Sequence, residues 1–364
     1  MSERNLIDNL LRTACKNGAS DLMVRTGDRI RFRINGAIVC APVDRIQPPD
    51  REGVINMVRH LLRASNETED IEMVQHLDFH YTLEGIAHFR IHIMRTCNNF
   101  GLVARVIPQQ PPSVEQLDLP NILHTIAKYR NGLILVAGTT GSGKSTTMAA
   151  MIAQIIKERP VHVVTLEDPL EFRYGTSFKG TVCQREVGRD VADYSRGLVD
   201  AMRESPDVIL VGEARNREVL QEAIIAAETG HLVMATVHST TAIGTMQRFM
   251  SAFALDEQDA IRERLAENLR AIIVQKLLPL KNGRGRVAAL EIMIRNAVIK
   301  HFILDPERWR EIPKAMEEGR DLFGSQSFDQ HLELLVKSDK IEYEEALANA
   351  VFPEDFAMRI GSRA

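Results

Sequence analysis

Residues 138–145 read Gly-Thr-Thr-Gly-Ser-Gly-Lys-Ser and fill every fixed position of the pattern G-x-x-x-x-G-K-[ST]. The flanks fit a phosphate cradle. The apolar run 133–137 predicts a buried strand. Residues 145–157 predict a helix with Met148, Met151, Ile152, Ile155 and Ile156 on one face. Gly138, Gly141 and Gly143 let backbone N–H groups turn toward an anion, and the helix dipole adds to the attraction. Lys144 is placed for the β- and γ-phosphates and the Ser145 hydroxyl for Mg²⁺. Thr139, Thr140, Ser142 and Thr146 complete the candidate binding set.

The chain of 364 residues is long enough for two domains with their own cores. Apolar content of 45% is ordinary for a soluble globular protein. A formal net charge of −4 carries no basic signature, so nucleic acid is not expected as the main ligand. No apolar run approaches the length of a membrane span. The first twenty residues predict an amphipathic helix with charges inside it, unlike a signal peptide. Cys15, Cys40, Cys97 and Cys183 form no C-x-x-C pair. That disfavours a metal module or a disulfide framework and suits a reducing cytoplasm.

Along the chain, 3–17 predicts a helix, followed by short strands over 21–25, 30–34 and 37–40. Asn35-Gly36 between apolar runs is a hairpin signal. Residues 52–62 and 68–75 predict helices, and 80–82, 87–95 and 101–106 predict strands. The segment 1–107 is thus expected to be an α+β domain with an antiparallel sheet. Three prolines within 108–113 predict a stiff, extended linker. Beyond it, strands at 133–137, 161–166, 208–211 and 232–236 alternate with helices that include 198–203 and 218–228. That alternation predicts a parallel α/β sheet. Residues 265–278 read as helical and 288–293 as a strand. The tail from 297 reads as helical.

Three constellations follow predicted strands, at the edge where open parallel sheets bind ligands. Glu167 and Asp168 follow 161–166; a carboxylate there could serve the metal or position a water, or be a solvated loop acid. Glu213 follows the strand 208–211 and is the candidate for activating water. His231 and His238 flank 232–236; they could donate to a γ-phosphate, though an isolated histidine is more often structural. Two histidines without nearby cysteines do not suit zinc. Arg90, Arg95 and Arg105 lie on strands of the first domain. They could reach a neighbour's nucleotide in a ring, or be ordinary ion pairs.

Taken together, GTTGSGKST, TLEDPLEF, RESPDVILVGEARNRE and AAETGHLVMATVHSTTA resemble the PilT/PilU type IV pilus retraction ATPases of the secretion-ATPase superfamily. The resemblance spans about 19–295 and includes NLRAIIVQKLLP at 268–279. It implies an N-terminal PAS-like α+β domain over 1–107, a RecA-like P-loop ATPase core over 114–296 and a helical C-terminal region over 297–364. It also implies ATP and Mg²⁺ as cofactors, and a homo-hexameric ring on the cytoplasmic face of the inner membrane. That ring would turn a platform protein to withdraw pilins, as twitching motility requires. By motif match Glu213 is the catalytic glutamate, Glu167 lies in the acidic box, and His231 and His238 lie in the histidine box. Arg90 and Arg105 match arginines that act across the subunit boundary.

The chain departs from the retraction motors in two places. They usually carry Met and Asp where it has Ala214 and Asn216. Their Ala-Ile-Arg-Asn-Leu-Ile-Arg-Glu motif appears only as Val-Ile-Lys-His-Phe-Ile-Leu-Asp at 298–305. The second departure favours a PilU-like accessory motor working beside a paralogous retraction ATPase. Pilus-extension and type II secretion ATPases often carry a tetracysteine module, which these cysteines do not supply. A nucleic-acid motor on a RecA-like core would want a basic channel with stacking aromatics, and aromatic content is 5%. A nucleotide-gated scaffold with little turnover is disfavoured by Glu213 and the two histidines.

Overall fold

The computed structural model describes residues 4–361 except 35, 43–45, 66, 68–70, 72–73, 176–177 and 284. The Asn35 half of the hairpin signal and most of the helix expected over 68–75 lie outside the described residues. The chain divides into two compact units, Met1–Gln110 and Pro111–Ala364.

Among the described residues the first unit has one sheet and two α-helices. Helix α1 (Arg4–Lys16) precedes β1 (Ala19–Arg25), β2 (Arg31–Ile34) and β3 (Ala37–Cys40). Helix α2 (Arg51–Ala64) follows, capped by the Asp50 carboxylate, which accepts from Gly53 N. Then come β4 (His76–Leu83), β5 (Ala87–Thr96) and β6 (Asn99–Ile107). The order is β3-β2-β1-β6-β5-β4, and every pairing is antiparallel. Alternation on β5 sends Phe89, Ile91 and Ile93 into the core and leaves His88, Arg90 and His92 on the other face.

The second unit is a seven-stranded sheet with helices on both faces. After α3 (Ile122–Ile126) come β7 (Gly132–Ala137), α4 (Lys144–Glu158), β8 (His162–Glu167) and β9 (Thr181–Glu186). Next are α5 (Tyr194–Ala201), β10 (Val208–Val211), α6 (Arg217–Glu228) and β11 (Leu232–Val237). Helices α7 (Ala242–Met250) and α8 (Gln258–Asn268) lead to β12 (Leu269–Pro279) and β13 (Arg286–Ile294). The order is β13-β12-β7-β11-β10-β8-β9, parallel throughout except the β12–β13 hairpin. On β7, Leu133, Leu135 and Ala137 join the core on one face, while Ile134 and Val136 join the core on the other. Strands buried on both faces read as continuous apolar runs, as β7 and β10 do.

One expectation is overturned here. Residues 265–278 are not one helix: α8 ends at Asn268 and β12 begins at Leu269. Residues 271–274 are all buried. In a doubly buried strand apolarity does not alternate, so this run resembles a buried helix; the β-branched Ile272-Ile273-Val274 was the discriminating signal.

The tail packs α9 (Ala297–Leu304), a 3₁₀ turn over 306–311, α10 (Ile312–Glu318), α11 (Arg320–Phe323), α12 (Phe328–Lys337), α13 (Tyr343–Asn349) and α14 (Pro353–Gly361). It covers the free edge of β13, which would otherwise offer unpaired backbone groups. Ile292 and Gln326 exchange backbone hydrogen bonds at 2.9 Å. Gln326 Nε2 donates to Leu290 O at 3.0 Å, and Ser325 Oγ accepts from Ile294 N at 3.0 Å. His331 Nδ1 accepts from Leu290 N at 2.8 Å, so its ring must be neutral. Burial holds its pKa down at about 4, against a small opposing effect of Asp118.

That shift makes a pH prediction. A depressed histidine pKa contributes stability above about pH 6.5 that is lost as pH falls toward 4, on the order of 3 kcal/mol at most. His331→Ala is expected to lower the melting temperature at pH 7.5 and to lose less on acidification than the unaltered protein. Comparing the two proteins isolates His331 from Glu291, whose buried carboxyl is raised to about 7 and titrates the opposite way. Parallel melting curves across pH 7.5 to 5 would contradict this.

Candidate active site

The loop 138–145 joins the carboxyl end of β7 to α4. Its glycines hold φ of 149° (Gly138), 79° (Gly141) and 86° (Gly143), values that side chains resist. Lys144 is buried and folds back so that Nζ donates to Gly138 O at 2.9 Å and Thr139 O at 3.0 Å. Burial lowers its pKa, against the fields of Glu213 and Glu171. Among the described residues Lys144 has no ion-pair partner, so a bound phosphate would oppose that shift.

A cavity of about 250 Å³ opens beside the loop, lined by Lys144, Ser145, Glu167, Asp168, Glu213 and His238 among others. These residues come from three strand ends and the helix start, and the sheet order brings them together. Strand β8 follows β7 in sequence but lies three places away, with β11 and β10 between. Strand β10 therefore delivers Glu213, and β11 delivers His238, into the space between the loop and Glu167.

Glu213 Oε1 pairs with His238 Nε2 at 2.7 Å and with Arg215 Nε. Burial pushes its pKa up, but Arg215 and His238 outweigh burial and leave it below the usual value. Glu167 behaves differently. Burial raises its pKa despite hydrogen bonds from Thr165 Oγ1 at 2.6 Å and Gln184 Nε2 at 3.3 Å. Tyr194 also lines the cavity, and burial raises its phenol's pKa.

His231 is not at this site within the chain. Strand β11 separates it from His238, roughly 20 Å of extended backbone. Its Nδ1 instead lies 2.9 Å from Ala226 O, at the end of α6. The sequence pattern could not show this, because a core strand puts its two flanks at opposite edges of the sheet. Thr139 and Ser142 line a neighbouring cavity, and Thr146 another of about 380 Å³ behind the loop.

The first-unit arginines are engaged locally. Arg105 Nε lies 2.8 Å from the buried Asp21, and Arg90 Nη2 lies 3.4 Å from Asp78. Arg95 Nε donates to Val74 O at 2.9 Å and its guanidinium covers the Phe100 ring. Arg33, Asp21, Arg105 and Arg90 stand directly opposite one another across β2, β1, β6 and β5, giving a mostly cationic row.

Over residues 2–323 the sequence matches the family model described as Type II/IV secretion system protein. The chain belongs to this family. It lies in the retraction-ATPase branch. It is 37% identical to the type IV pilus retraction ATPase PilT of Pseudomonas aeruginosa, over 96% of this chain and 99% of that one. It is 34% identical to the type IV pilus ATPase PilU of the same organism, over 97% and 91%. A crystal structure of the pilus retraction motor PilT with bound ADP superposes with a TM-score of 0.84 at 32% identity, covering 97% of this chain and 98% of that one.

Asn216, where the resemblance leads one to expect Asp, has a local role. It caps α6, its Oδ1 accepting from Val219 N at 3.1 Å, and Asp would cap equally well. Ala214 is buried and its N donates to Thr236 O at 2.9 Å. Among the described residues, sequence reading did not mark Arg215, Glu171, Tyr174 or Tyr194. Arg215, two residues beyond the glutamate, could have been found from the Glu-Ala-Arg triplet; the tyrosines carried no signal.

Proposed function

We propose that this chain hydrolyses ATP at the 138–145 loop and uses the energy to drive retraction of a type IV pilus. The observation that carries the reading is convergence: Lys144 and Ser145 at the start of α4, and Glu167, Glu213 and His238 at three strand ends, face one cavity. The loop N–H groups and Lys144 hold the β- and γ-phosphates. The oxygens of Ser145, Glu167, Asp168 and Glu213 are hard donors that suit Mg²⁺. Among the described residues no group of three histidine, cysteine or acidic side chains is close enough to hold a metal by itself. When bound, Mg²⁺ neutralises charge on the phosphates.

Glu213 is assigned to the water and Glu167 to the surroundings of the metal. A carboxylate whose pKa is depressed is a weak base but a good acceptor. A loose phosphoryl-transfer transition state asks for orientation more than early deprotonation. His238 holds Glu213 in place and can donate toward the γ-phosphate. His231 is not assigned a role at its own chain's site.

The working form is proposed to be a homo-hexamer peripheral to the inner membrane, acting on a platform protein. No helix of the described residues is long and apolar enough to cross a membrane. Arg90 and Arg105 would exchange their acids for a neighbour's phosphate. The accessory, PilU-like variant rests on 298–305 alone, since overall identities of 37% and 34% do not separate the branches.

The test is specific ATPase activity against protein concentration, with light scattering in parallel. Activity is expected to climb steeply as a six-subunit species forms, and to fall in Arg90→Ala and Arg105→Ala without loss of that species. Flat activity from a monomer would withdraw both the ring and the trans-acting arginines.

A further inference from the structure

The phosphate loop is braced from behind by a residue that its motif does not include. Gln275, on β12, is 2% exposed. Its Oε1 accepts from Thr147 Oγ1 at 2.7 Å, and its Nε2 donates to Ser142 O at 2.7 Å. Ser142 lies inside the loop and Thr147 in the first turn of α4, so one amide clamps both. The Ser142 carbonyl fixes the amide's orientation, because a flipped amide would set acceptor against acceptor. Gln275 also explains two of the loop glycines. A Cβ on Gly143 would lie 2.7 Å from Gln275 Nε2, and one on Gly138 would lie 2.5 Å from Gln275 O. The residue therefore leaves no room for a side chain at Gly138 or Gly143 while it hydrogen-bonds Ser142.

We propose that Gln275 is a positioning residue that holds the 138–145 loop in its phosphate-receiving shape. The inference rests on reading that loop as the ATP site. A cradle of N–H groups binds an anion well only if the groups already converge. A loop that must be ordered on binding forfeits affinity. Glutamine is suited because one planar end supplies both an acceptor and a donor. Glutamate lacks the donor, and methionine lacks both strong groups.

The test uses full-length Gln275→Met and Gln275→Glu, with Lys144→Ala as reference. ATPase kinetics and binding of a fluorescent ADP analogue are measured together with nucleotide-free melting curves. Both Gln275 variants are expected to raise KM and the ADP Kd tenfold or more, about 1.4 kcal/mol, with kcat at saturation within about threefold. A purely structural role would lower the melting temperature and leave KM and Kd near their original values. Constants within about twofold in a folded variant overturn the proposal. If neither variant folds, Thr147→Val removes half of the clamp and is expected to raise both constants about threefold; no change there also overturns it. Unimpaired ADP binding by Lys144→Ala would instead overturn the loop assignment itself.

Discussion

Glu213→Gln is expected to bind ATP and to turn it over about 10²–10⁴-fold more slowly than the unaltered protein. The change is isosteric, so the cavity keeps its shape. What changes is the charge, and one of two acceptor oxygens becomes a donor. The carboxylate now accepts from both Arg215 and His238 through Oε1, which leaves acceptor capacity for a water. An amide has one oxygen for the same three partners, and no charge to polarise the attacking water. Its nucleotide affinity should survive, because the proposed function gives the phosphates to the loop and Lys144. Single-turnover hydrolysis beside equilibrium binding of a fluorescent ADP analogue separates the two effects. Normal turnover would move the water-activating role to Glu167, the other acid facing the cavity. The native enzyme's acid limb should also lie low: Arg215 and His238 hold Glu213 ionised below the usual carboxyl range.

Lys144→Ala is expected to weaken nucleotide binding at least about a hundredfold, close to 2.7 kcal/mol, and to abolish hydrolysis at ordinary ATP concentrations. Lys144 is buried among backbone carbonyls at 2.9 and 3.0 Å, and among the described residues no acid pairs with it directly. It is held ready for an anion, at the expense of a pKa lowered by burial. Removing it leaves the loop N–H groups to hold a polyanion alone, beside Glu213 and Glu171. Because no ion pair is broken, folding should suffer little, and the melting curve without nucleotide should stay near that of the unaltered chain. Retained binding would sink the assignment of this loop.

Much of this site was legible in the sequence because its chemistry is local. The phosphate loop needs adjacent glycines, a lysine and a serine between a strand and a helix, and all of that is contiguous. Strands β7, β8, β10 and β11 were legible because a doubly buried parallel strand must be a short apolar run, and turn residues bound each one. The caps Asp193 and Asn216 are signals of the same local kind, but the expectation of a helix over 198–203 did not use the first, and α5 begins at Tyr194. Glu213 was legible as the first acid after such a run.

Tertiary structure alone decided the rest, because it depends on which strands become neighbours. The order β7-β11-β10-β8 brings Glu213 to His238 and faces both toward Lys144, while β11 carries His231 to the far edge. Nothing in a histidine's sequence position says which end of a strand is the binding edge. Within 265–278 the apolar residues 271–274 do not alternate with polar ones, as in a buried helix or a doubly buried strand. Only the β-branched Ile272-Ile273-Val274 favoured a strand, and pairing between β7 and β13 starts it at Leu269, where α8 has ended. That pairing sets Gln275 behind the phosphate loop, 128 residues along the chain from the threonine it bonds. A single sequence records the residues, but the hydrogen bonds that make Gln275 a brace exist only once the sheet has assembled.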